Sequence, residues 1–161
     1  MVDFDRPRRW PAYGMALLLL GYAAGKAAFA VQARLGFPGG PPVPAAEAAA
    51  YFLDPAFGQW LASASGVLGA CVALATVTSL GRRVSRALML VVLAAMTLAV
   101  LGGGGIMVLD GFIGMGVGWR WYHGVLGLVA IALTVEMSRS YLVATRPARR
   151  RGASAVSGAG G

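Results

Sequence analysis

The sequence predicts an all-α polytopic membrane protein, a bundle of four transmembrane helices. Three observations predict it. The chain has 161 residues, of which 58% are hydrophobic and only 12% charged, where soluble domains carry about 25% charged residues. The apolar residues gather into four continuous runs of about 22 residues, the length that crosses a hydrocarbon core of about 30 Å. The charge is lopsided, 14 Lys+Arg against 6 Asp+Glu for a net +8, and the arginines cluster at alternate ends of the runs, which orients them. A disordered chain needs low hydrophobicity and is excluded. A β-barrel needs segments that alternate apolar and polar residues, and these runs do not alternate.

Residues 1–12 read as a basic cytoplasmic N-terminus, with Arg6, Arg8 and Arg9 ahead of Trp10 and Pro11. The membrane domain covers 13–144, with spans at about 13–34, 58–80, 87–109 and 121–144. The first span is interrupted by Lys26 and Gln32. Residues 6–30 also have the shape of a signal peptide ending in Ala28-Phe29-Ala30. Lys26 inside the cleavage region and the continuation of the run to Val31 favour a retained helix. In the loop 35–57, Gly39-Gly40-Pro41-Pro42 and Pro44 cannot continue a helix. Ala45 to Phe52 can form a short interfacial helix ended near Asp54-Pro55. The second span is uncharged, and Arg82, Arg83 and Arg86 make a basic turn after it. Thr97 is the only clearly polar side chain of the third span. Asp110 to Arg120 is a glycine-rich loop, with Asp110 ending the helix at the water boundary. The fourth span carries His123, Glu136 and Arg139, and residues 145–161 read as a basic, then disordered, cytoplasmic tail.

The N-terminus, the 81–86 turn and the tail hold nearly all the arginines, so both termini are expected on the cytoplasmic side. Trp10, Tyr13 and Tyr141 mark the inner interface; Tyr51, Phe52, Trp60, Trp119, Trp121 and Tyr122 mark the outer one. The positive charge is therefore a topology signal rather than a nucleic-acid footprint. The expected partners are the bilayer, anionic lipid at the arginine-rich face, and a second copy or another membrane protein.

Cys71 and His123 are each the sole residue of their type. A dithiol mechanism, a thiolate cluster, a haem held by two histidines and a di-iron bundle are excluded. No cofactor or metal is expected, and no catalytic set is visible. Gly21 and Gly25 form a GxxxG, and Gly66 with Ala70 a small-xxx-small pair, which suit close helix packing. Gly102, Gly103, Gly104 and Gly105 form either a hinge or a tight packing face.

The polar groups at membrane depth are the functional pointers, because ionisable groups in hydrocarbon are costly and face a cavity or the bundle interior. By helical rise, Lys26 lies about 4 Å to the outer side of the first helix's midpoint and Glu136 about 6 Å to the inner side of the fourth's. They are thus about 10 Å apart along the normal, and a direct ion pair is strained. Lys26 shares a face with Tyr22 and Phe29 and can serve as an anion-binding point, a proton carrier or a headgroup contact; snorkelling is its bland reading. Glu136 has Arg139 at i+3 as a local partner. His123, close in depth to Asp110, is either an outer-mouth acid/base or metal position, though one His and one Asp are too few for a first-shell set, or an interfacial histidine bonded to a loop carbonyl.

One stretch carries a resemblance. Trp10-Pro11-Ala12-Tyr13, Gly21-Tyr22-Ala23-Ala24-Gly25-Lys26 and Gly36-Phe37-Pro38-Gly39-Gly40-Pro41 resemble the small bacterial four-helix membrane proteins grouped as domain of unknown function 3995. Those proteins similarly place a lysine late in helix one, then an aromatic and a glycine-rich outer loop. Here the aromatic is Phe29, where a tryptophan is expected nearby. The resemblance implies a bacterial inner-membrane location and the four-helix architecture; that family has no assigned activity, so it brings no catalytic residue.

Three functions fit these readings. The first is a non-enzymatic membrane component or subunit that packs with other membrane proteins, favoured by the small-residue faces. The second is a small transporter or permeation component using Lys26 and Glu136. The third is a lipid- or quinone-binding enzyme subunit with an outer-facing pocket near Lys26, His123 and Asp110.

Overall fold

A computed structural model of the chain describes residues 8–79, 81 and 83–145. The N-terminal Arg6, Arg82 of the basic turn and the tail arginines Arg146, Arg149, Arg150 and Arg151 lie outside the described residues. Among the described residues the order is α1 (Trp10–Val31), α2 (Ala45–Ala49), α3 (Pro55–Ala75), α4 (Arg86–Ile113) and α5 (Trp121–Ala144). No strand occurs among them, and α1, α3, α4 and α5 are each long and apolar enough to cross a membrane. The protein is an all-α, four-span bundle of the multi-pass membrane class.

The fourth span, α5, has the expected bounds 121–144, while other helix ends follow local chemistry and differ from the expected ones. The second span begins at Pro55 rather than near 58, because Pro55 needs no N–H partner in the first turn and Asp54 caps it, accepting from Phe57 N–H at 2.9 Å. It stops at Ala75, short of the expected 80. The third begins at Arg86 under a Ser85 cap and runs to Ile113, one turn past Asp110, until Gly114 adopts a left-handed φ of 78°. At 28 residues it is about 42 Å long, more than a hydrocarbon core of about 30 Å needs.

The spans pair as two hairpins. α1 packs along α3, and α4 along α5; α1 and α5 join the hairpins, while α3 and α4 barely touch. The joint core lies at the arginine-bearing end. Ala12, Met15 and Ala16 of α1 meet Ala70 and Ala73 of α3, Met89 and Leu93 of α4, and Leu133, Met137 and Tyr141 of α5. Towards the other end, where the long loops lie, each hairpin is sealed by small and polar residues instead. Gly66 sits against Tyr22, Ala23 and Leu19, and Ser63 Oγ donates to Ala23 O at 2.9 Å. Gly104 and Gly127 bring α4 and α5 together, each meeting the other's carbonyl. Gly66 thus serves packing within the chain. In the GxxxG of α1, Gly25 lies under the Phe37 ring of the chain's own loop, and Gly21 has open space beside it.

Candidate functional site

Lys26 lies late in α1, where the loop 32–44 folds back over the helix. Its Nζ donates to the Gly36 carbonyl at 2.9 Å. That carbonyl is turned inward by Gly36, whose φ of +107° is open only to glycine at low cost. Gln59 of α3, buried at 3% exposure, donates through Nε2 to the same carbonyl at 3.0 Å and to Arg34 O at 2.9 Å. Two donors from two spans therefore clamp one loop. Phe37 completes the clamp by stacking on Tyr22, with ring centroids 5.9 Å apart and planes 10° apart. Lys26 Nζ lies 5.7 Å from the Tyr22 centroid, within reach of a cation–π contact.

Beside this clamp is an open cleft of about 350 Å³. Lys26, Gln59, Tyr51 and Glu47 supply its polar wall, and Leu35, Val43 and Ala62 an apolar one. Lys26 forms no ion pair among the described residues, and neither does Glu47. An ammonium has three donors, and one of them is used on Gly36. The arrangement can therefore hold an acceptor at Lys26 from the cleft side. Sequence reasoning missed Gln59 and Glu47. A buried amide inside an otherwise apolar run was the available signal for Gln59; nothing local marks Glu47, whose role depends on how α2 is laid over the cleft.

Asp110 and His123 form a separate structure. Asp110 does not end its helix. It is buried at 4% exposure, and its carboxylate accepts from the N–H groups of Val117, at 3.0 Å, and Trp119. It gathers the loop 114–120 over the end of α4, which is why the helix continues past it. The His123 ring does not bond a loop carbonyl: its Nδ1 accepts from Arg120 N–H at 3.2 Å at the start of α5, while the His123 backbone N–H donates to Arg120 O at 2.9 Å. Its ring is buried, edge-on to Trp119 at 4.9 Å. Trp119 in turn lies where any side chain at Gly40 would go, so the two long loops touch. Lys26 lines the cleft between α1 and α3; Asp110 and His123 do not line it.

Glu136 is bound at the arginine end. Arg8 and Arg139 each place a guanidinium nitrogen 3.8 Å from one of its carboxylate oxygens, and Arg8 N–H donates to Ser140 Oγ at 3.0 Å. Arg139 was legible as the i+3 neighbour; Arg8 comes from the chain ahead of α1 and was not. Lys26 and Glu136 are thus held by different groups at opposite ends of the bundle. A second groove, about 510 Å³, is lined by Thr97 of α4 and by Ser138, Arg139 and apolar residues of α5.

The four glycines of α4 divide by helical rotation. The helix runs unbroken through them. Only Gly104 faces α5; Gly102, Gly103 and Gly105 have nothing within 4 Å of where a Cβ would stand.

Comparison of the chain with protein-family models, with curated proteins and with solved structures finds no match.

Proposed function

We propose that the protein is a non-enzymatic component of a bacterial inner membrane that packs with another membrane-spanning helix along the α3–α4 side. The observation that carries this reading is that the bundle is open there: α3 and α4 barely touch, although both are apolar. Transmembrane helices associate through close van der Waals packing at small residues. Of the open glycines of α4, Gly102 and Gly105 lie three residues apart on one side of the helix and offer such an approach. Large apolar side chains flank them, including Leu98, Leu101 and Ile106, all exposed.

The orientation belongs to the same reading. Arg8, Arg9, Arg83 and Arg86 share one end of the bundle, and the positive-inside rule assigns that end to the cytoplasm. Anionic lipid fits the groove lined by Arg139 there. The transporter reading loses support from the placement of Lys26 and Glu136, which are held at opposite ends of the bundle and do not meet.

The test is assembly size after mild solubilisation of the native membrane. The wild-type chain is expected to migrate in an assembly larger than one 16.5 kDa chain plus its detergent. Gly102→Leu with Gly105→Leu should release the single chain without unfolding it, because neither position touches the rest of the fold. Wild-type protein that already migrates as a single chain overturns the proposal.

A further inference from the structure

We propose that the cleft between α1, α2 and α3 binds the headgroup of a phospholipid that carries both a phosphate and an ammonium, with the phosphate on Lys26 and the ammonium on Glu47.

The cleft presents one cation and one anion to the same space. Lys26 and Glu47 both line it and form no ion pair with each other. Lys26 is held in place by its bond to Gly36 and by Gln59 on the same carbonyl, so the ammonium is positioned before any ligand arrives. Its remaining donors suit a phosphoryl oxygen. Glu47 is exposed on α2 and accepts only, which suits a primary ammonium with hydrogens to give. A ligand with only a negative charge would satisfy Lys26 and be repelled by Glu47. A ligand with only a positive charge would meet the reverse. Both charges on one small group satisfy the whole wall.

The depth argues for a lipid as the source. The cleft opens at the loop end of the α1–α3 hairpin, beside Tyr51 and Phe52, which are exposed next to the short helix α2. Exposed aromatic rings next to a membrane span sit at the headgroup level. Val43 and Ala62 give the cleft an apolar side against which the glycerol and first methylenes can lie. The volume of about 350 Å³ is at the small end of ligand clefts and fits a headgroup rather than a whole lipid. This site is independent of the α3–α4 surface, and either can fail without the other.

The test uses the full chain in nanodiscs of equal parts phosphatidylethanolamine and phosphatidylglycerol, with the lipid retained after partial stripping read by native mass spectrometry. The expected result is retention of the ethanolamine lipid over the glycerol lipid by about fivefold, the upper end of what one exposed charge contact gives. Glu47→Gln should abolish that preference while leaving the fold intact, since Glu47 is exposed and forms no ion pair among the described residues. Lys26→Met should lower retention of both lipids. Soluble phosphoethanolamine at millimolar concentration should leave the retained lipid in place. Equal retention of the two lipids by the wild type, or an unchanged preference in Glu47→Gln, overturns the proposal. Complete displacement by the soluble headgroup overturns the lipid as ligand and assigns the site to a free solute.

Discussion

Placing an alanine at Gly66 and, separately, at Gly102 tests the packing of the first hairpin with a single chemical change in two settings. Alanine is favoured over glycine in a helix by about 1 kcal/mol at either position. At Gly102 nothing lies within 4 Å of the new Cβ, so the gain is kept. At Gly66 the new Cβ would stand 2.9 Å from Tyr22 Cδ1, 3.0 Å from Ala23 Cβ and 3.0 Å from Leu19 O. The Tyr22 ring can swing aside. The Ala23 methyl and the Leu19 carbonyl cannot, since both are fixed to the α1 backbone, so α1 and α3 must separate by a few tenths of an ångström. Overpacking of this kind costs about 1–3 kcal/mol. The propensity term cancels between the two variants, so Gly66→Ala should be less stable than Gly102→Ala by about 1–3 kcal/mol. Reversible unfolding of the purified protein in mixed micelles, driven by rising dodecyl sulfate and followed by tryptophan fluorescence, measures that difference. Equal stability, or a more stable Gly66→Ala, would refute the close approach of α1 and α3.

The remaining predictions concern polar groups. Ser63→Ala removes the buried bond to Ala23 O and should cost about 0.6 kcal/mol in the same micelle assay, the usual size of an interhelical hydrogen bond in a membrane. Asp110→Asn turns an acceptor pair into one acceptor and one donor facing N–H groups. The amides of Val117 and Trp119 should then exchange hydrogen about tenfold faster, with α4 otherwise unchanged; unchanged exchange would show that the carboxylate does not hold the loop. Glu136→Gln should change stability by less than about 1 kcal/mol, because both of its arginine partners are largely exposed and 3.8 Å away; a larger loss would mean that Glu136 is part of the core.

The four spans were legible because a bilayer forces long apolar runs, and helical length alone then sets their number. The ends were less legible, because they depend on groups from elsewhere in the chain. Asp54-Pro55 reads in the sequence as the end of the interfacial helix, yet the same pair caps and starts α3. Asp110 looked like a stop signal, yet the loop beyond it supplies the N–H groups that let a carboxylate remain buried inside the helix. The site shows the same division. Lys26 stood out as a charge far from either end of its span, while its partner is a backbone carbonyl ten residues on, presented by the left-handed conformation of Gly36. No spacing rule locates such a contact. The run Gly102–Gly105 offered two readings as a block; rotation of about 100° per residue turns only Gly104 to α5.

On the reading proposed above, the α3–α4 side of the bundle accepts another membrane-spanning helix. A photoreactive residue at Leu98, exposed on α4 one turn before the open glycines, tests it most directly in the native membrane, with the same residue at Leu17, exposed on α1, as the comparison. A discrete protein adduct, to a partner or to a second copy, is expected from position 98, absent from position 17 and lost when Gly105→Leu is added. Adducts with lipid alone from position 98, or equal protein adducts from both positions, would contradict it.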